Sequence, residues 1–493
     1  MSISTDAQPA VSPTRSSETL VVGVISLGVI AFAMYCAEAI GKEGVYGPLS
    51  LLPTAVVVAM ALYTKRTIES LFMGVLVGLL MTNSPAEFIP VLGGTFLTVF
   101  QNETVAWIFI ACGLMGSMIA LVTMGGGAEA FGRWLTSRVH TRKGTLFATM
   151  GVGLAIFIDD YLNALTIGSS MRKATDRMKV SREFLAYVVD STAAPVCIIL
   201  PFSTWAVFFA GLLEDNQVAE KGAGIDLFIS SIPYMLYAWA CLLVVFLTIS
   251  GKIPLLGKMK EAEKRVAETG KLVSDADAVH DVEMEGGVEN SGTMNFFVPI
   301  AALIFFTWYF NIDIMSGAMA AIILTLAFYG VQRLLSFGRM FDGILSGFFS
   351  MVMPLGGLFC GFMLSEVNNT LGTTEYVINA TTPFMTASLL PVVAFVVLAL
   401  LAFATASFWA MFVIGMPIIL PLAIGADANL PLVIGAMVSA SAFGSHACFY
   451  GDSTLLSAKA CGISPMSHAI TQLPYALIGG LIAAAGFLVL GFL

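Results

Sequence analysis

The chain has 493 residues, of which 58% are hydrophobic and only 11% charged, and its mean hydropathy is +0.89. Soluble domains are about one quarter charged, so these values exclude a water-soluble globule. The net charge of −9 sits largely in one hydrophilic segment, Lys258 to Glu289, and no nucleic acid partner is expected.

From the N-terminus, a polar tail leads into the first apolar run without a small-residue cleavage site, so the run stays in place as a first helix. Leu20 to Glu38, Val105 to Met124, Asp226 to Ser250 and Ile470 to Leu493 each reach the roughly 20 residues that a bilayer crossing needs. The seven cysteines are scattered in apolar context with no C-x-x-C pair, which indicates neither a disulfide framework nor a zinc site.

Lys and Arg mark cytoplasmic span ends, and they cluster at Lys65-Arg66, Arg133 to Lys143, Arg172 to Arg182, Lys252 to Lys271, and Arg333 with Arg339. This puts the N-terminus in the cytoplasm of a multi-pass protein of the inner (plasma) membrane. Basic clusters flank the apolar stretch Gly144 to Thr175 on both sides. A single span cannot begin and end on the same side, so a re-entrant hairpin is expected there, its tip at Ile158-Asp159-Asp160-Tyr161-Leu162-Asn163. The next span carries Asp190-Ser191-Thr192-Ala193-Ala194-Pro195, a sequence that interrupts a helix and releases carbonyls.

The same order returns after the charged segment. Gly113 to Met118 is echoed by Gly357 to Phe362, the first hairpin tip by Ala406 to Met411, and the interruption at Asp190 by Ser439 to Phe443. The second hairpin lacks basic residues at either end, so both ends are expected outside, and the second copy runs upside down. The fold class is then an all-α polytopic membrane protein of about 11 transmembrane helices plus two re-entrant hairpins, in two inverted-topology repeats. Its divisions are a tail and extra first helix over 1–45, a first repeat over 46–250 with its hairpin near 144–178, a cytoplasmic charged linker over 251–293, and a second repeat over 294–493 with its hairpin near 383–423. The linker reads as solvated.

Ionisable groups within a membrane mark functional sites. Asp159, Asp160 and Asn163 on the hairpin, with Asp190, Ser191 and Thr192 on the following helix, all offer oxygen, the ligand type of hard cations. Na⁺ is placed at Asp160, Asn163, Asp190 and Thr192. Crowded, poorly solvated carboxylates also take up protons, so Na⁺ and H⁺ compete for the same oxygens. The bland alternative is that Asp159 or Asp190 caps a half-helix N-terminus. In the second copy Thr405, Ser407, Ser439, Ser441 and Ser445 supply neutral hydroxyls. His446 and Asp452 form a candidate proton relay, with a packed histidine as the other reading of His446. Trp205, Phe408, Trp409, Phe443 and Tyr450 either line a pocket for an organic solute or are packing. Arg172, Asp176 and Arg182 read as topology anchors and surface pairs.

Phe157 to Asn163, Leu185 to Cys197, Gly451 to Thr454 and Thr471 to Ala476 together resemble the NhaC family of Na⁺/H⁺ antiporters, within the ion-transporter superfamily. The resemblance implies an inverted-repeat fold, elevator-like movement of the hairpin domain, and a homodimer. It also implies Na⁺ and H⁺ as transported ions in place of any catalytic cofactor, with a small organic solute carried by some relatives. Where NhaC-like sequences carry serine and proline, this chain has Phe449, Tyr450 and Gly451. The first alternative function is Na⁺-coupled transport of an amino acid or small carboxylate. A remote one is an intramembrane aspartyl protease pairing Asp160 or Asp190 with Asp452; otherwise the chain is not expected to be an enzyme.

Overall fold

The computed structural model describes residues 28, 30–36, 38–40, 44–64, 66–157, 160–201, 203–280, 288, 291–405 and 408–493. Among them every regular element is helical, as expected where each backbone polar group must be satisfied within its own segment. The first half comprises α1 (Leu52–Thr64), α2 (Thr67–Thr82), α3 (Phe88–Gln101), α4 (Glu103–Met124), α5 (Gly127–Thr136), α6 (Arg142–Ala155), α7 (Asp160–Arg177), α8 (Arg182–Ser191), α9 (Ala194–Ile198), α10 (Thr204–Asp215), α11 (Gly224–Ser231) and α12 (Leu236–Ser250). A linker helix, α13 (Gly257–Thr269), precedes the second half. That half comprises α14 (Met294–Tyr309), α15 (Ile314–Val331), α16 (Phe337–Ser350), α17 (Val352–Thr370), α18 (Thr373–Thr381), α19 (Leu390–Thr405), α20 (Phe408–Gly425), α21 (Leu430–Ala447), α22 (Asp452–Cys461) and α23 (Pro465–Gly491).

Five helical stretches are long and apolar enough to cross a membrane, and a sixth arises if the pair Gly224–Tyr234 and Leu236–Ser250 counts as one span. That pair is bent by 46°, so the run expected as a straight span from Asp226 is hinged at Met235. Shorter apolar helices, among them Ile68–Thr82 and Leu390–Phe403, fill the rest of the bundle. The expected first span lies mostly outside the described residues, as does the tip of the second hairpin at 406–407. Helices α6 and α7 cover the stretch expected as the first hairpin, and α8 and α9, separated at Thr192 and Ala193, that of the interrupted span.

The two halves interlock. Helix α7 packs on α22, α8 on α22 and α23, and α12 on α23. Helices α4 and α16 approach each other closely. A Cβ on Gly116 would lie 2.5 Å from the carbonyl oxygen of Gly347, and one on Gly347 would lie 2.4 Å from that of Gly116. The Ser117 hydroxyl uses this proximity to donate to the Ile344 carbonyl at 2.8 Å. Small residues of this kind replace a hydrophobic driving force that lipid cannot provide.

Three expectations are corrected. The second interruption does not fall at Ser439 to Phe443, because α21 runs unbroken through them. Serine and alanine alone do not stop a helix, whereas Pro195 lacks the N–H that Ser191 would have received. The second break comes at 448–451, where Cys448 is extended and the Thr454 hydroxyl donates to its carbonyl at 2.8 Å. The Arg182 pair is no surface pair: Arg182 is buried and grips Asp176 through two bonds of 2.6 and 2.8 Å, while donating to the Cys461 carbonyl at 2.9 Å.

The linker, finally, is not solvated throughout. Met259, Ala262 and Val266 of α13 are buried. Glu263 accepts from the Ser181 amide at 3.0 Å and pairs with Arg142, while Arg265 pairs with Glu183 at 2.9 Å. Further along, Asp277 accepts from the Ser464 amide at 3.0 Å and the Ser274 hydroxyl at 2.7 Å. The linker thereby ties the start of α8 to the start of α23.

Gly347→Val is expected to force α4 and α16 apart and to cost about 1–3 kcal/mol through overpacking, measured as a lower melting temperature in detergent. At Asp277, burial opposes the charge, but the hydrogen bonds from Ser464 and Ser274 outweigh it and hold the pKa below the ordinary carboxylate value. The docking it adds is therefore complete above the ordinary carboxylate range and fades as pH falls through the lower, folded value. Limited proteolysis is expected to show acid-enhanced cleavage near 271–280, with Asp277→Asn cleaved readily already at neutral pH.

Candidate functional site

Ser181 starts α8 by accepting from the Phe184 amide at 3.2 Å. The helix ends one turn before Pro195, with Thr192 and Ala193 outside helical geometry. Asp190 therefore stands in the last turn of α8, at the end whose dipole disfavours an anion. Its stabilisation comes from elsewhere. The carboxylate has no exposed surface. Its Oδ1 accepts from the Ser453 hydroxyl, and its Oδ2 accepts from Gln472 Nε2 at 2.7 Å and lies 3.0 Å from His468 Nε2. Every one of these partners belongs to the second half. Asp190 is thus not a half-helix N-cap.

Asp452 instead lies in the first turn of a helix, at the end whose dipole favours an anion. It opens α22, and its Oδ1 accepts from the Ser453 amide at 2.7 Å while Oδ2 accepts from the Tyr161 hydroxyl. Ser453 thereby stands between two buried carboxylates, Asp190 and Asp452. The Asp452 side chain is buried inside the fold.

The break between α6 and α7 faces the break between α8 and α9. Asn163 Nδ2 lies 2.8 Å from the Gly153 carbonyl oxygen, 2.7 Å from that of Ile156 and 2.9 Å from that of Thr192, while its Oδ1 has no hydrogen-bond partner. Three carbonyls freed by two helix ends thus share the two N–H groups of one amide. Asp160 opens α7 and is buried. The Thr192 hydroxyl donates to the Val188 and Val189 carbonyls at 3.0 and 3.1 Å.

His446 lies in the last turn of α21, its ring 3.1 Å from the Ser191 hydroxyl through Nε2 and 2.6 Å from the Tyr237 hydroxyl through Nδ1. Its carbonyl accepts from Gln472 Nε2, the amide nitrogen that also reaches Asp190. Ser439 accepts from the Tyr237 amide at 3.3 Å, whereas the buried hydroxyls of Ser441 and Ser445 have no hydrogen-bond partner.

The structure brings Asn163 to Thr192 and Asp190 to Ser453, and it places Ser191 on His446. Asp159 and Ser407 lie outside the described residues, and the side chain of Thr405 is likewise not described. The aromatic residues Trp205 and Tyr450 are fully buried in the core, and Phe443 packs edge-on against Tyr237. Sequence reasoning missed His468, Gln472, Tyr161 and Tyr237. The signal for the first two was available: an imidazole and an amide four residues apart fall on one face of an otherwise apolar helix.

Asn163→Leu is expected to strand three buried carbonyls and to lower stability by about 1–3 kcal/mol, read as a lower melting temperature, with Asn163→Gln intermediate.

Residues 196–492 match the description of the Na⁺/H⁺ antiporter family. This portion includes Asp452, Ser453, His468 and Gln472. Over 488 residues the chain is also 26% identical to an uncharacterised protein of Haemophilus influenzae, an alignment that takes in 90% of this chain and 91% of the relative. The family match and the apolar helices together mark a membrane-embedded protein, and the chain belongs to the Na⁺/H⁺ antiporter family.

Proposed function

We propose that the chain is a Na⁺/H⁺ antiporter of the NhaC type in the inner membrane, and that Asp190 is the carboxylate on which Na⁺ and H⁺ alternate. The observation that carries this reading is the company Asp190 keeps. Among the described residues its partners are a hydroxyl, an amide and an imidazole. A permanent guanidinium or ammonium partner would hold the carboxylate ionised and compete with any cation; these partners leave it open to exchange. Oxygen, the ligand type that Na⁺ requires, is supplied next to it in the chain by Ser191 and Thr192, and by the Asn163 amide that lies against the Thr192 carbonyl.

An inverted repeat supports alternating access. The helices of the two halves follow one order: α4 and α17 are long, α5 and α18 short, α6–α7 and α19–α20 form helix pairs, and α8 and α21 end at interruptions. In this reading the hairpin elements carry the ion past a scaffold, and the site is exposed to each side in turn.

Reconstituted into vesicles containing a pH reporter, the protein is expected to expel protons when Na⁺ is driven inward. Asp190→Asn is expected to abolish that exchange while eluting as a folded protein of unchanged size. Full exchange by Asp190→Asn removes the residue from the site. Accumulation of an amino acid or carboxylate with Na⁺, without proton movement, replaces antiport by solute cotransport.

A further inference from the structure

Gln472 is fully buried on α23, yet its amide is only half used. Nε2 donates to Asp190 Oδ2 and to the His446 carbonyl, which spends both of its N–H groups and fixes the plane of the amide. Oε1 has no hydrogen-bond partner. Leaving a carbonyl oxygen without a partner in a sealed interior costs about 1–3 kcal/mol, and inside lipid no water is at hand to relieve it. The carboxylate shows the same surplus. Its oxygens offer about four lone-pair sites, and Ser453, His468 and Gln472 take three of them.

Unspent oxygen thus remains on a neutral amide whose nitrogen is bonded to a carboxylate with unspent oxygen of its own. Oε1 has no hydrogen-bond partner, and a cation satisfies both oxygens at once. Hard cations take this mixture of one carboxylate with neutral carbonyl and amide oxygens. We propose that Gln472 is a direct ligand of the transported monovalent cation, binding through Oε1 while its Nε2 holds Asp190 and the end of α21 at a fixed spacing. The neutral oxygen of the site then comes from α23 and not from the serines of α21. Because Nε2 is anchored at two points, Oε1 cannot follow an ion of a different radius, and Gln472 sets the preference among alkali cations.

This assignment rests on the antiport reading of Asp190, and the test separates the two. In vesicles containing a pH reporter, Gln472→Met, which keeps the volume and loses the amide, is expected to raise the Na⁺ KM by about tenfold or more with the maximal rate retained. Gln472→Glu restores an oxygen at that position, and is expected to bind Na⁺ better than the Met variant and to change the order of preference among Li⁺, Na⁺ and K⁺. A Met variant with the wild-type Na⁺ KM overturns the assignment. Should the Met variant fail to fold, an unchanged cation preference in Gln472→Glu overturns it equally. A wild-type protein that moves no protons with Na⁺ defeats the antiport reading itself, and with it this ligand.

Discussion

The structure depends on how the Asp190 carboxylate is kept inside a membrane protein with no surface exposed. A charge there is costly unless it is paired and hydrogen-bonded, and its own helix makes matters worse by ending on it. The remedy is drawn from the other half of the chain: Ser453 from α22, and His468 and Gln472 from α23. Because the satisfaction of one residue in the first half is delegated to three in the second, the two halves cannot be folded or judged as independent units. The interlocking of α7, α8 and α12 with α22 and α23 is the packing counterpart of that delegation.

Each interruption has its own solution for the carbonyls it frees. Between α6 and α7, and again after α8, one amide gathers three of them, on Asn163. After α21 the Thr454 hydroxyl and the Gln472 amide take the carbonyls of Cys448 and His446. Irregular backbone is tolerated in lipid only where such partners exist, so the polar residues near the breaks are structural before they are functional. Asn163 and Gln472 both retain an unpartnered amide oxygen after these duties, and that of Gln472 belongs to an amide bonded directly to Asp190.

Membrane character, the helix pair over Arg142 to Arg177 and the break after Asp190 were legible from composition, the distribution of positive charge and Pro195. The placement of the second break was not. Ser439 to Phe443 resembles a disrupted helix in composition, but hydroxyls in a helix can bond back to their own turn, and α21 continues. The docking of the linker was also hidden, because alternating Lys and Glu look alike whether they face water or grip Ser181, Arg142 and Glu183. His468 and Gln472 escaped notice for a different reason: each is unremarkable alone in an apolar span, and their value depends on Asp190 arriving from 278 and 282 residues away.

The linker and the carboxylate site respond to different surroundings. The Arg142–Glu263 and Arg265–Glu183 contacts each have one partner reaching water, with the arginines 43% and 21% exposed. The Asp190–His468 contact has neither. Dissolved electrolyte screens the first kind within about 10 Å at 0.1 M and scarcely touches the second. A rise in ionic strength therefore loosens the strap between α8 and α23 regardless of which cation is added, so Na⁺ titrations of this protein call for choline at constant total salt to isolate what the ion does at the centre.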